Sequence, residues 1–139
     1  MSKLKEYKEI LSSFTHLQEV NTWMKNISQG TTIVNGTSLR VKENHVRGCC
    51  PNCLVWADID NSHDALTFRL DSDNDTIKGL CTILMDVYNG LSKEEVLDIK
   101  YKDFEFLSRT LKTDKQKSLQ YLINRIHKLV HQPLLTKAL

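Results

Sequence analysis

The centre of this chain holds two short runs of β-forming residues, 53–59 and 65–70, with helical periodicity on both sides. Leu66, Phe68 and Leu70 alternate onto one face, and the intervening Asp60-Asn61-Ser62-His63-Asp64 is turn chemistry. Together these predict an antiparallel hairpin. A strand pair with an apolar face has to bury it against another element. The order helices, hairpin, helices therefore defines an α+β domain in which a small antiparallel sheet packs against helices.

Leu4, Tyr7, Leu11 and Phe14 recur at helical spacing, and Leu17, Val20, Met24 and Ile27 repeat the pattern after a cap at Thr15. Residues 31–48 carry no sustained period and read as an extended segment or loop. After the hairpin, Ser72 or Asp73 is positioned to cap a helix with Ile77, Leu80, Cys81, Leu84 and Tyr88 on one stripe, ending at Asn89-Gly90. Gly79 inside it costs about 1 kcal/mol relative to alanine, which points to close approach of another backbone. Ser92-Lys93-Glu94-Glu95 opens a short helix with a capping box, and residues 103–111 allow another. Leu119, Leu122, Ile123, Ile126 and Val130 mark a long final helix stopped by Pro133.

With 139 residues the chain fits one domain, and 40% hydrophobic with 26% charged residues suits a self-sufficient core. Five glycines and two prolines argue against a turn-rich all-β chain. Charge is segregated: residues 109–139 hold seven bases and the single acid Asp114. Such a segment is usually a solvated helix face; it also suits an acidic partner or RNA, but Tyr121 is its only aromatic, so a nucleic-acid role ranks last. The start MSKLKEYKEILSSF lacks the apolar stretch of a secretory signal, and no apolar run is long enough to span a bilayer. A cytoplasmic chain with no membrane partner is the expectation, with its thiols reduced.

The most informative residues are the cysteines. Gly48-Cys49-Cys50-Pro51-Asn52-Cys53 places three thiols at the entrance to the first strand. A thiol attacks only as thiolate, and a glycine-preceded loop with Lys42, His45 and Arg47 nearby is expected to lower a thiol pKa and expose it. Such a loop suits persulfide transfer, in which a thiolate takes the outer sulfur of a partner's persulfide and offers it onward. Rival readings attach to the same residues. Cys50 and Cys53 form a C-x-x-C, but ahead of a strand and not at the helix N-terminus of a redox motif. The pair also supplies half a zinc site, with Cys49, His45 or His63 as a third ligand, while the second half is missing. Cys81 reads as a small buried hydrophobe. Trp56 reads as core, or as a partner contact if strand alternation turns it outward.

Val46-Arg47-Gly48-Cys49, the pair Val55-Trp56, Asp71-Ser72-Asp73 and Lys78-Gly79-Leu80 together resemble the SufE-like proteins, which accept sulfur from cysteine desulfurases. Tyr88, the Leu-Ser-x-Glu-Glu segment at 91–95, Leu111 and the long terminal helix continue the likeness over nearly the whole chain. It implies one SufE-like domain over residues 1–139 with a SufE/IscU-like fold. The family's persulfide cysteine lies three residues before Val-Trp, whereas five residues here separate Cys49 from Val55. Cys49, following Val-x-Gly, is the first choice as persulfide acceptor, Cys50 the alternative, and Cys53 a relay or resolving thiol. Where the family often has Ser-Arg opening the last helix, this chain has Lys115, which keeps the charge but not the guanidinium fork.

The resemblance implies an acceptor and activator for a pyridoxal-phosphate cysteine desulfurase of the SufS type. The sulfur would pass to an iron–sulfur scaffold of the SufBCD type or to another acceptor. Such a carrier needs no cofactor or metal of its own, and no general acid–base pair or phosphate loop points to an independent classical enzyme. The alternative function is a metal scaffold in which Cys49, Cys50 and Cys53 hold zinc or an iron–sulfur cluster.

Overall fold

The computed structural model describes residues 2–30, 39–49 and 53–131; Cys50, residues 31–38 and Pro133 lie outside them. In chain order the elements are α1 (Ser2–Ser12), α2 (Leu17–Gly30), a 3₁₀ turn (Lys42–Asn44), β1 (Val55–Asp60), β2 (Thr67–Ser72), α3 (Asp75–Tyr88) and α4 (Lys93–Asp98). A second 3₁₀ turn (Tyr101–Phe104), α5 (Glu105–Ser108) and α6 (Thr113–Leu129) complete them. The expected α+β class is what forms: one two-stranded antiparallel sheet among helices.

The strands pair in the register Val55↔Ser72, Ala57↔Leu70 and Ile59↔Phe68, which puts these side chains on one face. That face is the core side, where Leu70, Phe68, Ala57 and Ile59 are all buried. Helix α3 packs on β2 and α6 on β1. The opposite face carries Trp56 beside Asp71 and Asp58 beside Arg69. Arg69 and Asp58, directly opposed, form a two-bond ion pair there. Trp56 is on this second face and is still buried, because the segment before the cysteines crosses it. Val46 N–H donates to the Val55 carbonyl at 2.8 Å, and Arg40 stacks its guanidinium 4.6 Å from the Trp56 ring centre.

Helix α3 is the centre of the molecule. Leu80, Cys81, Ile83, Leu84 and Tyr88 are fully buried, and an apolar stripe that wide marks a helix covered on more than one side. Helix α2 lies against it at Gly79, where an added Cβ would come within 2.9 Å of the Met24 carbonyl oxygen. The close approach expected at this glycine is therefore real.

Two boundaries differ from expectation. The N-cap of α3 is Asn74, whose side chain accepts from Ile77 N–H, and not Ser72 or Asp73. Those two residues are bonded instead to Leu54, as described below. Helix α6 starts at Thr113, six residues before its first apolar position, because its first turn is polar and leaves no hydrophobic signal. The capping box at Ser92 and Glu95 forms as expected, with both reciprocal bonds. At the end of α3 the chain turns through Asn89 and Gly90, the latter at φ +89°, which only glycine adopts without strain.

Gly79→Ala should lower stability by about 1–3 kcal/mol. The overpacking against Met24 outweighs the roughly 1 kcal/mol that alanine gains in helix propensity. A thermal melt at or above the parent's midpoint would show that α2 yields freely.

Candidate functional site: a docked cysteine loop

The chain from Val46 to Leu54 is held at both ends. Upstream, the Val46–Val55 bond and a bridge between His45 and Trp56 attach it to the edge of β1. Downstream, Leu54 is fixed by Asp73 and Ser72. Its N–H donates to Asp73 Oδ1 at 2.8 Å, and its carbonyl accepts from Asp73 N–H at 3.2 Å and from Ser72 Oγ at 2.8 Å. The residues that read as helix caps are thus the anchor of the loop.

Between these anchors Gly48, at φ +80°, reverses the chain. A side chain at position 48 would meet Tyr121 only at ordinary contact distance, 3.6 Å, so the backbone angle and not space demands glycine. The reversal turns Cys49 inward, where it is 2% exposed. Its thiol donates to the Ser118 carbonyl at 3.5 Å, and Ser118 Oγ donates to the Cys49 carbonyl at 2.6 Å. Ser118 is itself buried, on the inward side of α6.

The expectation of an exposed, activated thiol is corrected by this geometry. Burial pushes the Cys49 thiol up to about 11, because removing a thiolate from water costs more than its neighbours return. The Ser118 side chain and the charges of Lys115 and Arg125 oppose that rise. Both cations stand on α6, whereas Lys42, His45 and Arg47 were the expected source of the field. Arg125 reaches the loop directly, donating to the His45 carbonyl at 3.5 Å.

Cys81 is fully buried on α3, and its thiol is also raised, first by burial and then by Cys49 and Asp71. Its expected role as a packed hydrophobe holds. Among the described residues Cys49 and Cys81 carry free thiols, while Cys53 is disulfide-bonded. The expectation that all thiols are reduced is therefore not met at Cys53, which lies within three residues of another cysteine in sequence. A sulfur in a disulfide is neither nucleophile nor ligand until it is reduced. Cys50 falls outside the described residues. Among the described residues no three His, Cys, Asp or Glu side chains come together in a metal-holding group. The His127 ring bonds the Ile99 carbonyl, and His45 joins the edge of β1 through its backbone.

Beside the loop, on the second face of the sheet, Asp71 is buried and paired with Arg40 at 2.8 Å and with Lys78 at 3.7 Å. Lys78, on α3, thus helps to neutralise a buried carboxylate. Arg40 joins that carboxylate to the Trp56 ring, so the segment entering the loop is clamped to the sheet. Sequence reasoning missed Ser118, Arg125 and this clamp. Ser118 did leave a signal: it stands four residues before Leu122 on an otherwise apolar stripe.

Fold and site together define a small α+β domain that keeps one free cysteine docked beneath a short loop on its last helix. Over residues 8–130 the chain matches SufE, described as an Fe-S metabolism associated domain, and it belongs to that family. It is 30% identical over 101 residues to a quinolinate synthase, chloroplastic, of Nicotiana tabacum, covering 71% of this chain and 14% of that protein. To SufE-like protein 2, chloroplastic, of Arabidopsis thaliana it is 34% identical over 67 residues, covering 48% of this chain and 25% of the relative. The chain thus spans a quarter or less of the length of either relative. The solution structure of a hypothetical protein from Thermus thermophilus shares the fold, with a TM-score of 0.67 at 18% identity over 92% of this chain and 93% of that one. Among the described residues no helix is long and apolar enough to cross a membrane.

The raised Cys49 thiol sets a pH dependence. The unfolded chain releases this proton near pH 9 and the closed loop near 11. The native state therefore holds more protons between those values, so stability is intact below about pH 9 and falls as pH rises toward 11. Between about pH 8 and pH 11 the parent should lose up to about 2 kcal/mol more than Cys49→Ala, at about 1.4 kcal/mol per pH unit of difference between the two states. The cost of swinging the loop into water caps that loss. Denaturant melts across the range, with Cys81 common to both proteins, measure the difference; equal losses would show that Cys49 is not held in a low-dielectric site.

Proposed function

We propose that this chain takes a sulfur atom onto Cys49 from the persulfide of a pyridoxal-phosphate cysteine desulfurase. It then carries that sulfur to iron–sulfur cluster assembly or another thiol acceptor. The observation that carries the reading is the placement of Cys49: a free thiol at a glycine turn, on a loop anchored at both ends, docked by hydrogen bonds to a helix. Membership of a family tied to Fe-S metabolism supports the same destination.

The chemistry is a redox-neutral sulfur exchange. With the loop swung out, Cys49 regains the acidity of an ordinary thiol and its thiolate attacks the outer sulfur of the partner's persulfide. A bond forms between Cys49 Sγ and that sulfur as the bond to the partner's cysteine breaks, and the partner's thiolate leaves. The reverse logic applies at delivery, where the acceptor's thiolate attacks the sulfur carried on Cys49. Lys115 and Arg125, on the helix the loop rests on, favour the thiolate only while Cys49 is docked. Leu54 and Tyr121, about half exposed at the margins of the loop, offer apolar contact to a partner that receives it. A cytoplasmic, reducing setting would keep Cys49 free and open the Cys53 disulfide, and a SufS-type donor and SufBCD-type acceptor are the partners this reading names.

The test is to incubate the reduced protein with a cysteine desulfurase and cysteine and to map sulfur additions of about 32 Da by peptide mass spectrometry. The sulfur should be found on Cys49. Cys49→Ser should lose acceptance and Cys81→Ala should keep most of it. Sulfur loading of Cys49→Ser at the parent's rate would reject the assignment.

A further inference from the structure

Away from the cysteine site, α1 and the helical run from Tyr101 to Arg109 leave an open cleft of about 830 Å³ between them. None of its lining residues takes part in holding Cys49. The floor is apolar. Leu4 of α1 and Phe106 of α5 are half-buried there, and the Phe106 ring stacks on that of the buried Phe104. The walls are charged and exposed, yet among the described residues no hydrogen bond or ion pair crosses from one wall to the other. Helix α1 is held instead from its far side, where Tyr7 donates to Asp86 at 2.8 Å and Lys3 pairs with the same carboxylate at 3.8 Å. The cleft is therefore not closed by its own charges.

The placement of those charges says what the cleft can receive. Lys8 stands four residues from Leu4, and Lys102 and Arg109 stand four and three residues from Phe106, spacings that put each cation on the same face as the floor. The acids are placed differently. Glu105 is adjacent to Phe106 and Glu9 is five residues from Leu4, spacings that turn both away from the floor. Asp103 is occupied by the Lys100 N–H at 2.9 Å. Glu9 is spaced to serve Lys5, and Glu105 is shared between Lys102 and Arg109, while Lys8 has no acid three or four residues away. An apolar strip bordered by under-compensated cations remains. We propose that this cleft is a docking site for an acidic amphipathic helix of a partner protein. The walls run along α1 from Leu4 to Ser12, about 12 Å, which is the length of roughly two turns of a third helix laid beside it. Apolar residues of that helix cover Leu4 and Phe106, and carboxylates on its flanks meet Lys8, Lys102 and the guanidinium fork of Arg109. The site does not depend on the sulfur chemistry proposed above. A partner held here leaves the residues around Cys49 uncovered, so the domain could be gripped while its thiol reacts elsewhere.

The test uses the full chain and two fluorescein-labelled peptides of about 14 residues, enough for nearly four helical turns. One carries leucines at i, i+3, i+4 and i+7 with glutamates on both flanks, and its twin has lysine at every glutamate. Fluorescence anisotropy should show saturable binding of the glutamate peptide, about tenfold tighter than that of the lysine twin and weakened when salt is raised to about 0.5 M. Lys8→Glu combined with Arg109→Glu, both at exposed positions and checked by thermal melting, should weaken the glutamate peptide about tenfold and reverse the preference toward the lysine twin. Lys117→Glu, on the exposed face of α6, should leave both affinities unchanged. Three results would overturn the inference: no saturable binding of the glutamate peptide, equal binding to the parent and the doubly reversed variant, or loss of binding in Lys117→Glu. The last would place the peptide on the basic terminal helix instead. Sulfur loading of Cys49 does not enter any of these readouts, so the docking site and the sulfur reading stand or fall separately.

Discussion

A two-stranded hairpin is not stable in water by itself, so everything in this molecule follows from how the two faces of β1 and β2 are covered. Helices α3 and α6 cover the face that carries Phe68 and Leu70. The other face carries Trp56 and the carboxylate of Asp71. There the segment before the cysteines supplies Arg40, bonded to Asp71 and stacked on the indole, and Lys78 of α3 reaches the same carboxylate from the side. Asp71 is buried while Arg40 is exposed, so losing Arg40 would leave a buried carboxylate with Lys78 as its remaining cation, and this favours holding the segment that carries Arg40 against the sheet. Covering the second face in this way brings Gly48 and Cys49 to the side of α6.

Storage and reactivity then conflict at one atom. The same burial that protects Cys49 raises its thiol to about 11, so the docked sulfur is almost wholly protonated at neutral pH. For the sulfur transfer proposed above, Cys49 has to come out of this site, while Val46 and Leu54 on either side are held to the hairpin. Local opening of this kind is cheap relative to unfolding when few apolar contacts and bonds are given up. Lys115 and Arg125 stay behind on the helix, where their charge partly offsets the burial in the closed state.

Most of the fold was legible in the sequence, because its signals lie in neighbouring residues. The alternation of Leu66, Phe68 and Leu70, the stripe from Ile77 to Tyr88 and the Ser92–Glu95 box each declare themselves within a few turns of chain. Cys49 was legible from Gly48 before it and the strand after it. What stayed hidden depends on pairs far apart in sequence. Ser118 meets Cys49 across 69 residues, and Arg40 meets Asp71 across 31. The burial of Cys49 was hidden for the same reason: a polar, glycine-led loop reads as exposed until the helix it rests on is known. Ser72 and Asp73 misled because a serine or aspartate before a helix is an equally good cap or loop anchor, and only the position of Leu54 decides between them.

The central claim is that Cys49 is reached by opening the loop alone and not by unfolding the domain. The most direct measurement is the alkylation rate of Cys49 and Cys81 in the reduced protein as urea is raised in small steps below the unfolding transition. Local opening exposes little surface, so the Cys49 rate should stay nearly flat with urea while the Cys81 rate climbs with the slope of global unfolding. A Cys49 rate that climbs in parallel with that of Cys81 would contradict the account, since the thiol would then be reachable only through the unfolded chain.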